Sequence, residues 1–121
     1  MTARLQGPAV TDEFGDDVKR AIAGRAADRC ANPQCRALTG GPTNDRMKSF
    51  NVGVAVHIRT VASRGHRYDP ALSNEEYRDQ SNAIWLCQRC ASVIDNDVAR
   101  YSTDLLRAWK KTAETEVLQS V

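Results

Sequence analysis

Near the start of the chain, apolar residues recur every four positions at Phe14, Val18 and Ile22, with Ala21, Ala26 and Ala27 beside them. That spacing is one face of a helix and predicts an element from about Thr11 to Asp28. Thr11, Asp12 and Glu13 supply a cap and the acidic first turn favoured by the helix dipole. From Leu38 to Asn44 the chain reads LTGGPTN, which is turn chemistry with no regular element. Phe50 to Ile58 is short and rich in valine and predicts one strand ending at His57 and Ile58. Ser73 to Gln80 reads as a short helix, with Ser73 as cap and Glu76 as its capping-box partner. Asn82 opens a second strand whose apolar run, Ile84, Trp85 and Leu86, leads straight into Cys87. Ser102 caps a last helix with the face Leu105, Leu106, Trp109, Ala113 and Val117. These elements give an α+β domain over 11–121, preceded by ten loosely held residues.

Length and charge narrow the reading. The 121 residues suit one domain with a modest core. A formal net charge of +2 does not announce a nucleic-acid binder, so any electrostatic argument must be local. No apolar run approaches the ~20 residues of a membrane span, and the N-terminus lacks the apolar stretch of a secretory signal. No membrane association is expected, and the cytoplasm is the expected location. There, paired cysteines are more often metal ligands than disulfides.

The four cysteines form two pairs, Cys30-Ala-Asn-Pro-Gln-Cys35 and Cys87-Gln-Arg-Cys90. Both spacings let two sulfurs share a tetrahedral ion, and Pro33 suits the tight turn of the first. One structural zinc on Cys30, Cys35, Cys87 and Cys90 is the expectation, closing a loop of more than fifty residues. A redox Cys-x-x-Cys motif and four ordinary buried cysteines are the other readings of the same residues.

A polar cluster follows the first predicted strand. His57 ends that strand, and Arg59, Arg64, His66 and Arg67 follow within ten residues with no acid among them. With Arg46 and Lys48 they form a locally basic stretch suited to phosphate, or else a solvated loop. His66 reads as a metal ligand, a phosphate contact or an exposed loop histidine. Asp95, Asn96 and Asp97 follow the second cysteine pair. Trp85 and Trp109 sit on apolar faces and read as core; Tyr68 and Asp69 read as residues that fix the loop.

In order along the chain, Arg25–Cys30, Cys35, Ala55-Val-His57-Ile, Gly65-His-Arg67-Tyr-Asp69, Ser81-Asn82-Ala-Ile-Trp-Leu-Cys87-Gln-Arg-Cys90, Ile94-Asp95 and Leu106-Arg-Ala-Trp109-Lys110 resemble the HNH endonuclease family. The resemblance runs from about Val18 to Glu116. It implies a ββα-metal fold, here with flanking helices and a four-cysteine zinc knuckle, built around one divalent ion, Mg²⁺ or Mn²⁺. It implies His57 as general base, a role suited to imidazole at neutral pH. Asn82 would orient that imidazole, Asp95 would be a hard oxygen ligand to the catalytic metal, and Arg59, Arg64 and Arg67 would bind flanking phosphate. Where the family places a second histidine directly after the second knuckle, this chain has Ala91, as does a similar branch of the family. Val56 stands where some relatives carry a further ligand.

Two functions from different classes follow. The first is a metal-dependent hydrolase that cleaves phosphodiester bonds of DNA, with RNA also open as the substrate. The second is a catalytically inactive, zinc-stapled module that binds nucleic acid or protein. Domains of this size are often attached to a sensor or targeting domain, so fusion within a longer protein is a further expectation.

Overall fold

The computed structural model describes residues 14–60 and 67–121. Among them lie α1 (Asp16–Arg25), β1 (Gly40–Pro42), β2 (Ser49–Asn51), β3 (Val54–His57), α2 (Asn74–Tyr77), a 3₁₀ turn (Gln80–Asn82), β4 (Ala83–Leu86), α3 (Gln88–Asn96) and α4 (Thr103–Ser120). The architecture is α+β with two small antiparallel sheets, β1 with β2 and β3 with β4. The proposed cap at Thr11–Glu13, the loosely held first ten residues, and the Arg64 and His66 positions lie outside the described residues.

The β3–β4 pair is the central layer. Its register sets Val54 opposite Leu86, Ala55 opposite Trp85, Val56 opposite Ile84 and His57 opposite Ala83. Successive side chains of a strand point to opposite faces, and both faces of this sheet are covered. Ile84 and Leu86 join Ile58, Ala91, Ile94, Leu106 and Ala113 in one buried cluster, with Val54 and Val56 packed against it. Ala83 and Trp85 join Phe14, Ile22, Ala23 and Ala26 in a second cluster, with Val18 and Ala55 beside it. So α3 and α4 cover one face and α1 the other. Each fully buried aliphatic side chain contributes on the order of 1.5–3 kcal/mol of transfer free energy, which makes this double-sided sheet the main apolar support of the fold.

Several expectations hold. The face Phe14, Val18, Ile22 and Ala26 is the packed face at α1. Ser73 accepts from the Glu76 amide while Glu76 accepts from the Ser73 amide, a complete capping box. Ser102 Oγ accepts from the Leu105 amide and caps α4, which buries Leu106 and Ala113. Trp85 is buried, donating its indole N–H to Thr39 Oγ1, and half-buried Trp109 packs edge-on against Tyr101.

Four boundaries differ from expectation. Among the described residues α1 begins at Asp16 with Gly15 at its cap, and it stops at Arg25 rather than Asp28. Ala27 and Asp28 take positive φ (55° and 56°), which ends a right-handed helix whatever the residues' propensity. The segment read as turn contains β1, paired with β2. The single strand expected over Phe50–Ile58 is two strands, β2 and β3, which belong to different sheets. The break falls at Val52 and Gly53, where a Cβ on residue 53 would collide with the Trp85 indole; the chain passes too close to that ring for any side chain. Finally, Asn82 closes the 3₁₀ turn rather than opening β4, because Asp79 caps that turn by accepting from the Ser81 amide. No helix among the described residues is long and apolar enough to cross a membrane.

Candidate functional site

Two places gather the chemistry-bearing residues, one at each end of the central sheet. The first is the cysteine cluster. The sulfurs of Cys30, Cys35, Cys87 and Cys90 all lie within 4.8 Å of one another. A Zn–S distance of ≈ 2.3 Å in a tetrahedron sets neighbouring sulfurs roughly 3.8 Å apart; Cys35 and Cys87 are at 3.9 Å. All four cysteines are free of disulfides, and the long-range pairing of the two knuckles is the one a shared ion requires.

Local structure presents each sulfur. Cys87 is the N-cap of α3, and its sulfur accepts from the Cys90 amide at 3.4 Å, so the positive end of the helix faces thiolate charge. In the first knuckle Asn32 Oδ1 accepts from the Gln34 amide, and the Asn32 carbonyl accepts from those of Cys35 and Arg36. Arg36 has φ 53°, which turns the chain out of the knuckle. The Ala31 amide donates to the Trp85 carbonyl, tying the knuckle to β4. Asn32 Nδ2 also reaches Cys90 Sγ at 3.5 Å, a cross-knuckle contact to a ligand atom.

Burial pushes the Cys30 thiol far above the ordinary range, and burial is likewise the main cause of the raised Cys90. Burial also pushes on Cys87, but hydrogen bonds from the Cys90 amide and the neighbouring cysteines outweigh it and leave that thiol lowered. Four sulfurs this close cannot all ionise unless a dication compensates them. The donor set therefore fits a four-coordinate metal of the zinc type.

The second place is a cleft of about 250 Å³ lined by residues of β3 and α3, with Thr60, Arg67 and Tyr77. It brings together His57, Arg67, Ala91 and Asp95, which are scattered over nearly forty residues of sequence. The His57 ring lies between Phe14 (centroids 3.9 Å, 18°) and Tyr77 (3.9 Å, 9°), clamped on both faces. Asn82 is buried, and its side chain ties three backbone groups: Oδ1 accepts from the Arg59 amide, while Nδ2 donates to the Arg59 and Tyr77 carbonyls. It thereby fixes the chain two residues beyond His57 and the residue whose ring covers His57. The sequence marks Phe14 only as part of an apolar helix face and gives Tyr77 no role; a tyrosine ending a capped helix five residues before Asn82 is the signal available.

The expected phosphate-binding arginines are placed differently from one another. Arg59 pairs with Asp69 at 3.1 Å, and Asp69 also caps the Ala71 amide, so it fixes the loop as expected. Arg67 is 5% exposed and donates from one terminal nitrogen to the Tyr101 carbonyl at 2.8 Å. Burial lowers the pKa of its guanidinium, against the attraction of Asp95. Arg46 and Lys48 lie in the β1–β2 turn, where Lys48 faces Asp45. The described basic residues do not make one continuous patch.

A catalytic divalent ion fits this cleft poorly. Among the described residues lining it, Val56 and Ala91 offer no donor atom and Asp95 is the one carboxylate. A dication about 5 Å from a guanidinium is repelled by roughly 7 kcal/mol at an effective dielectric of about 20, which offsets a large part of what a single ligating carboxylate would contribute. Asn96 is turned back to the Ser92 carbonyl, and neither it nor Asp97 lines the cleft.

Comparison with models of known protein families matches none of them, and comparison with curated proteins likewise finds no match.

Proposed function

We propose that this chain is a zinc-stapled ββα domain of the HNH type that engages the phosphodiester backbone of nucleic acid through the cleft between β3 and α3. The observation that carries the reading is the convergence in that cleft of His57, clamped between two rings, with buried Arg67, opposite the helix that begins at the second cysteine pair. A hairpin followed by a helix, tied at the helix start by four cysteines, is the arrangement the family resemblance implies. Zinc has a structural role in it, holding the two knuckles together.

Within that reading, binding without hydrolysis is favoured over metal-dependent cleavage. The cleft supplies one carboxylate and a buried guanidinium where a catalytic Mg²⁺ or Mn²⁺ needs several oxygen ligands and open water positions. One specific observation supports the endonuclease reading. An imidazole sandwiched at 3.9 Å on each face is held far more closely than a surface histidine needs to be, and such fixing suits a general base.

The deciding experiment titrates fluorescein-labelled DNA and RNA oligonucleotides of one sequence with zinc-loaded protein, and incubates supercoiled plasmid with Mg²⁺ or Mn²⁺. Salt-sensitive oligonucleotide binding with an intact plasmid is the expected result, log affinity falling by ~0.9 per neutralised duplex phosphate for each log unit of salt. Plasmid cleavage that drops ~10²–10⁴-fold in His57→Ala establishes the endonuclease reading instead. Absence of oligonucleotide binding at low salt, with capture of an acidic peptide, assigns the domain to protein recognition.

A further inference from the structure

The guanidinium of Arg67 is an unusual group to find where it is. The residue is 5% exposed, yet among the described residues it forms no ion pair. One terminal nitrogen donates to the Tyr101 carbonyl, and the buried Nε has no hydrogen-bond partner. Guanidinium carries five N–H donors in a rigid fork and stays charged at any physiological pH. A charge taken out of water without a partner is strongly unfavourable, so buried arginines are normally paired. Arg67 is held this way while lining an open cleft, and a ligand entering that cleft is a partner within reach of the guanidinium's terminal nitrogens.

We infer that the cleft is an anion site in which the Arg67 guanidinium fills the place of a divalent cation, so that one phosphate group binds there without metal. The inference rests on the proposed function only for the polymer to which that phosphate belongs. The flanking residues suit the ligand: Thr60, which lines the cleft, carries a hydroxyl able to donate to a phosphate oxygen. Val56 and Ala91 shape the cleft without offering an oxygen that would repel an anion. Asp95 is the opposing charge, and it bears on Arg67. It is exposed on α3 whereas Arg67 is buried, so water and salt screen the carboxylate's repulsion more than they screen the guanidinium's attraction. A planar fork matched to two phosphate oxygens is also the geometry in which arginine surpasses a point charge.

Two probes test this on the intact, zinc-loaded chain in divalent-free buffer. The first is inorganic phosphate, followed by NMR at the arginine Nε–Hε resonances. Phosphate is expected to shift the Arg67 resonance saturably, and Arg67→Gln to abolish the corresponding shifts of the Thr60 and Ala91 amides. Arg67→Lys should retain part of the binding. The second probe is Mn²⁺, which broadens resonances near wherever it binds. No selective broadening at Ala91 and Asp95 is expected in wild type. A flat phosphate titration at Arg67, or selective Mn²⁺ broadening in the cleft, overturns the inference; both are read on wild type, so an unstable variant does not block the test.

A labelled DNA oligonucleotide separates this inference from the reading it extends. It should bind without any need for Mg²⁺, and about tenfold or more weakly to Arg67→Gln. A phosphate shift without oligonucleotide binding keeps the anion site and removes the polymer. Oligonucleotide binding that ignores Arg67→Gln, together with a flat phosphate titration, keeps the polymer and removes the anion site.

Discussion

The cysteine cluster and the cleft are both assembled from distant stretches of sequence, and both meet α3, yet they are completed by opposite means. At the cluster, four soft donors converge within 4.8 Å of one another. At the cleft, a positive guanidinium is already built in, beside a single carboxylate and two side chains with no donor atom. One region has the donor set of a metal site; the other is the place where we infer an anion. The difference also shows in what holds each together. The knuckles meet through their four sulfurs and the Ala31–Trp85 backbone hydrogen bond, whereas the chain after His57 is fixed by three hydrogen bonds from Asn82 and by ring stacking. An α+β domain can thus join a cluster with the donors of a metal site to a region held by polar and aromatic contacts.

The largest expected effect breaks the first half of that comparison. Zinc binding by a structural site is folding free energy, with apparent values on the order of 10–16 kcal/mol in small metal-dependent domains. Cys87→Ser removes one ligand and the sulfur that caps α3, and should abolish cooperative unfolding or lower Tm severely. Circular dichroism melts, with zinc measured on the folded protein, check this. Folded, reduced wild type containing no zinc would show the cluster to be four packed thiols.

An intermediate effect addresses the cleft. Asn82→Ala leaves the Arg59 amide and the Arg59 and Tyr77 carbonyls without the partner the side chain gave them. Loss of buried hydrogen bonds of this kind costs about 1–3 kcal/mol per orphaned group, with partial relief from entering water, so a total near 2–4 kcal/mol is expected. Zinc stoichiometry should stay at one. Denaturant titration reads the stability, and loss of zinc in the same variant would show that the two ends are one cooperative unit rather than separately held.

The smallest effect concerns neither centre, and serves as the reference for both. Glu114 on α4 accepts from Arg25 on α1 at 2.6 Å and faces Lys110 at 3.1 Å. Burial pushes its carboxyl up, but the hydrogen bonds from Arg25 and Lys110 outweigh it and leave it below its ordinary value. A lowered folded pKa means the stabilisation is present above the unfolded value of about 4.3 and is lost as pH falls through the folded one. Arg25 is more than half exposed, so Glu114→Gln should cost no more than about 1 kcal/mol near neutrality. The Tm difference between the two proteins should shrink with added salt and as pH falls below about 4.3. A difference insensitive to both would mean that Glu114 acts through packing.

Much of this protein was legible along the chain because the signals are local. The Ser73–Glu76 capping box, the Ser102 cap and the apolar face of α4 each depend on residues within a few positions of one another. The cysteine spacing likewise announced a four-sulfur cluster able to hold an ion, since a knuckle is a property of a short loop. The splitting of the valine-rich run at Gly53 was not legible, because its cause is the Trp85 ring, thirty residues away. Nor was the pairing of β1, whose Gly-Gly-Pro sequence has no strand signal and acquires one only from β2. The same limit governs the site. Sequence singled out His57, Asn82, Asp95 and Arg67 as residues of interest, by type and order. Only tertiary packing decided that Asn82 spends its hydrogen bonds on backbone, that Phe14 and Tyr77 enclose His57, and that Arg67 is buried with no ion pair among the described residues. Residue type fixes which interactions are available; burial and distance, which no linear pattern contains, fix which of them are made.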